Sequence, residues 1–89
     1  MTTDLPYQKV TAYEELLEDV LVQVVDHPED LEVREVEDPD CLRFTIIANK
    51  SDHGKIIGKG GATVGALHKM FVAMTRGRHV KLDIKEEGK

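Results

Sequence analysis

Apolar residues recur at Tyr13, Leu16, Leu17, Val20, Leu21, Val24 and Val25. Spacings of three and four put them on one stripe of a helix, with Glu14, Glu15, Glu18 and Asp19 on the wet face. Thr11 and Glu14 have the spacing of a capping box, and the early acids suit a helix N-terminus. Asp26-His27-Pro28 ends the helix, because the residue before a proline avoids the helical region. Leu31 to Val36 alternates weakly and predicts a short strand. Glu37-Asp38-Pro39-Asp40 is a turn. Cys41 to Ala48 predicts a stronger strand, with Leu42, Phe44, Ile46 and Ala48 on one face. So short a connection makes these two strands antiparallel.

Ser51 is a fair N-cap for a short helix running to about Ile57. A glycine tetrapeptide, Gly58-Lys59-Gly60-Gly61, follows. A longer helix then extends from about Gly61 to Thr75, with Val64, Leu67, Met70, Phe71 and Met74 on the arc expected to face the core. Gly77 stands where a C-cap glycine belongs. His79 to Lys85 alternates cleanly, as a strand with one buried face does. The order is helix, strand, strand, helix, glycine turn, helix, strand. A strand that returns through two helices is a crossover. It should lie parallel to the Cys41–Ala48 strand, right-handed, with the helices over one face. The expectation is an α+β fold with a three-stranded mixed sheet. Residues 1–10, with Pro6 and no periodicity, read as a flexible arm, residues 11–85 as a single domain, and residues 86–89 as a tail.

The glycine turn carries the chemistry. Glycines let a backbone come close to a ligand, and the first amides of a helix lack internal partners and favour an anion. Lys59 at the tip adds a mobile cation. The segment suits a phosphate or a phosphodiester backbone. It is no Walker A loop, because only three residues separate Gly54 from Gly58 and Gly60 follows Lys59. It also misses the dinucleotide fingerprint, since Thr63 stands where that pattern needs a third glycine or alanine. What fits is Ile57-Gly58-x-x-Gly61 between two helices, the form of the loop that clamps backbone nucleotides in KH domains.

Charge supports this placement. The net charge of −5 argues against a polyanion at first. Its distribution reverses the argument. Up to Asn49 there are three cations against thirteen acids, and from Lys50 onward nine cations against four acids. The half that holds the glycine turn is therefore the basic half, and a polarised surface can present a local positive groove. With 89 residues and 40% of them apolar, the chain fits one small globular domain. No apolar run is long enough to cross a membrane, and the start lacks a basic-then-apolar signal pattern. The single cysteine, Cys41, has no internal disulfide partner. Reduced, cytoplasmic residence is expected. His27, His53, His68, His79 and Cys41 show no metal-ligand spacing, and no nucleophile–base pair stands out, so neither a metal, a cofactor nor an enzyme is expected. Two tyrosines, two phenylalanines and no tryptophan leave too few rings for base-stacking platforms.

The run Gly54-Lys55-Ile56-Ile57-Gly58-Lys59-Gly60-Gly61, with the order of elements from Tyr13 to Ile84, resembles a KH domain. It is similar to the small stand-alone bacterial KH proteins of the KhpA type. The resemblance implies the type II, prokaryotic arrangement α-β-β-α-α-β. It implies single-stranded RNA held over about four nucleotides, with Gly58 to Gly61 against the backbone and an apolar groove beside the loop. The RNA-binding set is then Lys55, Ile56, Ile57, Gly58, Lys59, Gly60 and Gly61. One of Ile56 and Ile57 should pack in the core and the other line the groove, and the sequence leaves open which. Single-stranded DNA stays open too. An RNA chaperone or post-transcriptional regulator is the implied role. The alternative is a protein-interaction module that forms a homodimer or joins a second KH-containing protein in a heteromeric complex. Ala62, Ala66, Lys69 and Ala73 make a row of small residues on the long helix where a second copy could pack.

Overall fold

The computed structural model describes residues 13–37 and 39–86. The elements are helix α1 (Tyr13–Val22), strands β1 (Glu32–Glu37) and β2 (Cys41–Ala48), helices α2 (His53–Ile57) and α3 (Ala62–Met74), and strand β3 (His79–Glu86). The arm expected over residues 1–10 and the Thr11 cap lie outside the described residues. So does the tail expected over 86–89, except Glu86, which is the last residue of β3.

The strands form one sheet in the order β1-β2-β3. β1 runs antiparallel to β2, with Val33 opposite Ile46, and β3 runs parallel to β2, with Phe44 opposite Leu82. The mixed three-stranded sheet expected from the element order is thus present, with β2 at its centre. Its alternation is strict: Leu42, Phe44, Ile46 and Ala48 are buried, and the residues between them are half-buried. The buried face meets Leu17 and Leu21 of α1, Ile56 of α2, and Leu67 and Phe71 of α3 in one core. A sheet with one covered face and one wet face produces this period of two.

Local chemistry adjusts the boundaries. α1 stops at Val22, earlier than its apolar stripe suggests, and Val24 N–H closes a tighter bond of 2.9 Å to the Leu21 carbonyl. Val25 is buried all the same, because the turn carries it back toward the core. Glu14 reaches across to a strand. Its carboxylate accepts the backbone N–H of Glu35 at 3.2 Å, while Glu35 accepts the N–H of Glu14 at 3.1 Å. The exchange ties the first turn of α1 to edge strand β1, where backbone donors need partners. The 3-10 turn Lys50–Asp52 that leads into α2 is capped by Asn49, whose Oδ1 accepts the Ser51 N–H at 2.9 Å, and α2 itself starts from Asp52, so Ser51 is the N-cap of neither. At the end of α3, Arg76 takes the left-handed turn (φ +62°) ahead of Gly77, whose N–H reaches the Val72 carbonyl at 2.8 Å. That six-to-one bond places the left-handed cap position one residue earlier than expected.

The core-facing arc of α3 is narrower than its apolar pattern. Leu67 and Phe71 are buried and Val64 is half-buried, but Met70 and Met74 are each 38% exposed. Among the described residues, no helix is long and apolar enough to cross a membrane.

Candidate functional site

The glycine turn sits between a very short helix and a long one, and its position depends on how the short helix is anchored. Ile56, 0% exposed, is its plug in the core. His53 Nε2 donates to the Ala48 carbonyl at 3.2 Å, which fastens the start of α2 to the end of β2. Asn49 not only caps the preceding turn but donates from Nδ2 to Asp30 Oδ2 at 3.1 Å. The deepest anchor is Asp52, the only charged side chain buried among the described residues. Its Oδ1 accepts the Asp26 N–H and its Oδ2 the His27 N–H, both at 3.0 Å, and His27 Nδ1 stands 3.2 Å from Oδ2. Burial pushes the Asp52 carboxyl upward, but the two backbone donors and the His27 ring outweigh it and hold the group below its ordinary value. Neither Asp52 nor this latch is visible in the sequence, where Asp52 reads as one more polar residue at a helix start.

From that base the chain enters the turn. Gly58 N–H closes α2 on the Gly54 carbonyl at 2.8 Å, and Gly61 N–H closes the tetrapeptide on the Gly58 carbonyl at 3.0 Å. Gly58 has φ +79°, and a Cβ there would fall on Thr63 Oγ1 and 2.7 Å from the Thr63 backbone nitrogen. The first glycine is therefore fixed by packing of the turn against the start of α3 as well as by its backbone angle. Lys59 and Gly60 project as the exposed tip, and a Cβ on Gly60 would meet nothing within 4 Å. Gly61 is the N-cap of α3 and brings no side-chain oxygen to it. The first turn of a 13-residue helix thus opens beside the tip, with its positive end uncapped by a side chain.

Of the residues expected at the site, the structure brings together Lys55, Ile57, Gly58, Lys59, Gly60 and Gly61. Ile56 is the correction. Adjacent residues on a helix point about 100° apart, so only one of the two isoleucines can face out. Ile57 does, at 39% exposure, while Ile56 is fully buried and cannot touch a ligand. Lys55 is exposed, but its ammonium already has a partner: Nζ lies 3.2 Å from Asp26 Oδ2. Ala62, Ala66, Lys69 and Ala73 are all exposed on α3. His68, by contrast, is a strut, with Nε2 donating to the Val80 carbonyl at 2.9 Å. Among the described residues, no group of three or more His, Cys, Asp or Glu side chains is gathered as a metal site.

With this geometry in view, the likeness to known proteins is specific. The family model described as "KhpA/KhpB, KH domain" matches residues 14–85, nearly the whole described chain. A protein of Halalkalibacterium halodurans named RNA-binding protein KhpA is 39% identical over 71 residues, covering 78% of this chain and 93% of the relative. One of the same name from Chlamydia muridarum is 35% identical over 75 residues, covering 82% and 96%. Another from Thermotoga maritima is 35% identical over 71 residues, covering 80% and 93%.

Proposed function

This chain belongs to the KhpA/KhpB family of KH domains, and on that premise we propose that it binds single-stranded RNA through the Gly58–Gly61 turn. The observation that carries the reading is the packing of Gly58 against Thr63, which turns Lys59 and Gly60 outward beside the open N-terminus of α3. Backbone nucleotides would lie along Gly58 to Gly61, with their phosphates toward Lys55, Lys59 and the first amides of α3. Ile57 would line the apolar groove for the bases. Few groups there can hydrogen-bond base edges, so sequence preference is weak. The role that follows is an RNA chaperone or post-transcriptional regulator in the cytoplasm, with no catalytic step of its own. The relatives' name, RNA-binding protein, supports the same ligand.

A clamp of few cations on an acidic body binds weakly and in a salt-dependent way. With roughly two to four phosphate contacts at about 0.7 per contact on single strands, the slope of log affinity against log salt is about −1.5 to −3. Titrating a labelled single-stranded RNA from low to moderate salt measures it, and a slope of zero removes the clamp. The same titration with single-stranded DNA tests whether the 2′-hydroxyl matters.

α3 also offers a face to a protein partner. The exposed row Ala62, Ala66, Lys69 and Ala73 lies opposite Phe71 on α3, and Met70 and Met74 leave apolar surface beside it. Small residues let another helix approach closely. A homodimer, or a complex with a second KH-containing protein, would pack through this face, close to the turn. Ala66→Arg puts a long charged side chain into that contact without touching the core. Sedimentation is expected to show a dimer for the parent and a monomer for the variant. A parent that stays monomeric at high micromolar concentration excludes the homodimer.

A further inference from the structure

Most of the acids lie before Asn49, far in sequence from the glycine turn, yet the fold brings one of them to its edge. Asp26 Oδ2 stands 3.2 Å from Lys55 Nζ. Lys55 lies in the last turn of α2, three residues before Gly58, and residues at that spacing share a side of a helix. The backbone that carries Asp26 is held in place. Its own N–H and that of His27 both end on the Asp52 carboxylate, at 3.0 Å each. Asp52 is 1% exposed and directly precedes α2. The loop after α1 is thereby latched to the base of the helix that presents Lys55. The two charged side chains themselves reach solvent, at 66% exposure for Asp26 and 46% for Lys55. A polyanion could meet either one.

We infer that Asp26 is a built-in competitor for the phosphate, which holds Lys55 in an ion pair and keeps the RNA affinity of the turn below what its cations alone would give. The inference rests on the RNA-binding reading above. A phosphate that engages Lys55 must displace the Asp26 carboxylate or approach with that carboxylate close beside it. Displacement forfeits the ion pair, and approach adds like-charge repulsion. Either cost appears as weaker binding. Exposed ion pairs of this kind are worth at most about a fivefold factor in an equilibrium. Salt screens them, so the attenuation fades as ionic strength rises. Lys59, at the exposed tip, anchors the backbone irrespective of Asp26. Lys55 is the cation whose availability is set from another part of the fold.

Asp26→Asn is the informative change, because it removes the charge and keeps both the size of the side chain and the N–H that Asp52 accepts. The probe is a fluorescently labelled single-stranded RNA of mixed sequence, at low salt, with the parent, Asp26→Asn, Lys55→Gln and the double variant. Asp26→Asn is expected to tighten binding about two- to fivefold, Lys55→Gln to weaken it, and Asp26→Asn to gain little in the Lys55→Gln background. Glu18→Gln, which removes an exposed acid on α1, is expected to change nothing. No gain for Asp26→Asn overturns the inference. So does an equal gain in both backgrounds or in Glu18→Gln, since either means a general field effect and no competition for Lys55. RNA binding that is lost on replacing the turn residues Lys59 and Gly60 by aspartate, yet unchanged in Asp26→Asn, removes this inference and leaves the RNA reading standing. A parent that binds no better than that turn variant removes both.

Discussion

Replacing Lys59 and Gly60 together by aspartate is expected to abolish RNA binding and leave the fold intact. The tip would pass from one positive charge to two negative ones, aimed where the phosphates would lie. Unit charges about 4 Å apart interact by about 4 kcal/mol at a protein surface, so affinity should fall by about two orders of magnitude or more. The structure explains why the variant still folds. Lys59 and Gly60 are exposed, and a Cβ on Gly60 meets nothing within 4 Å. Gly60 has φ +62° and ψ 20°, a conformation that aspartate tolerates better than most residues. Gly58, where any side chain would collide with Thr63, is left alone. Circular dichroism and RNA affinity measured on one preparation decide the outcome. Affinity that survives in a folded variant means the turn is not the site.

Truncating Phe71 to alanine is expected to cost about 3–5 kcal/mol of stability. Its ring is 0% exposed and meets two others. The Phe44 ring lies 5.0 Å away at 50°, and the Tyr13 ring 6.1 Å away, edge-on at 88°. Phe71 therefore joins α3 to the central strand and to the first turn of α1. A domain of this size has roughly 0.05–0.15 kcal/mol of stability per residue. The loss would consume much of that reserve, and the variant is expected to be largely unfolded at 37 °C. Met74→Ala is the matched control. It lies one turn further along the helix at 38% exposure and should cost far less. Chemical denaturation of both variants checks the pair, and equal losses would mean that α3 turns a different face inward.

Several features follow from the sequence by local physics. The strand Cys41–Ala48 has the same bounds in the structure as its alternation predicts, with Leu42, Phe44, Ile46 and Ala48 inward. A period of two leaves a central strand no other way to bury four apolar residues. The glycine turn is legible for a similar reason, because Gly58, Gly60 and Gly61 all take positive φ, which other residues disfavour. The order of elements then imposes the mixed sheet, since a crossover through two helices brings its last strand in parallel.

Tertiary structure decided what depends on rotation and on distant partners. Ile56 and Ile57 are chemically identical neighbours on a five-residue helix. Only the orientation set by Asp52, His53 and the sheet beneath selects Ile56 for the core. On α3, the apolar pattern marks Met70 and Met74 as inward, but both are 38% exposed, and the unbranched, flexible methionine side chain suits such an edge. Asp26 reaches Lys55 from a backbone held by a carboxylate 26 residues further along the chain. A helical or strand period reports on neighbours within a few residues and carries no information about such a contact. Whether an acid lies beside the glycine turn is settled only when the chain folds back on itself, and in this protein that places a negative charge at the edge of its most basic segment.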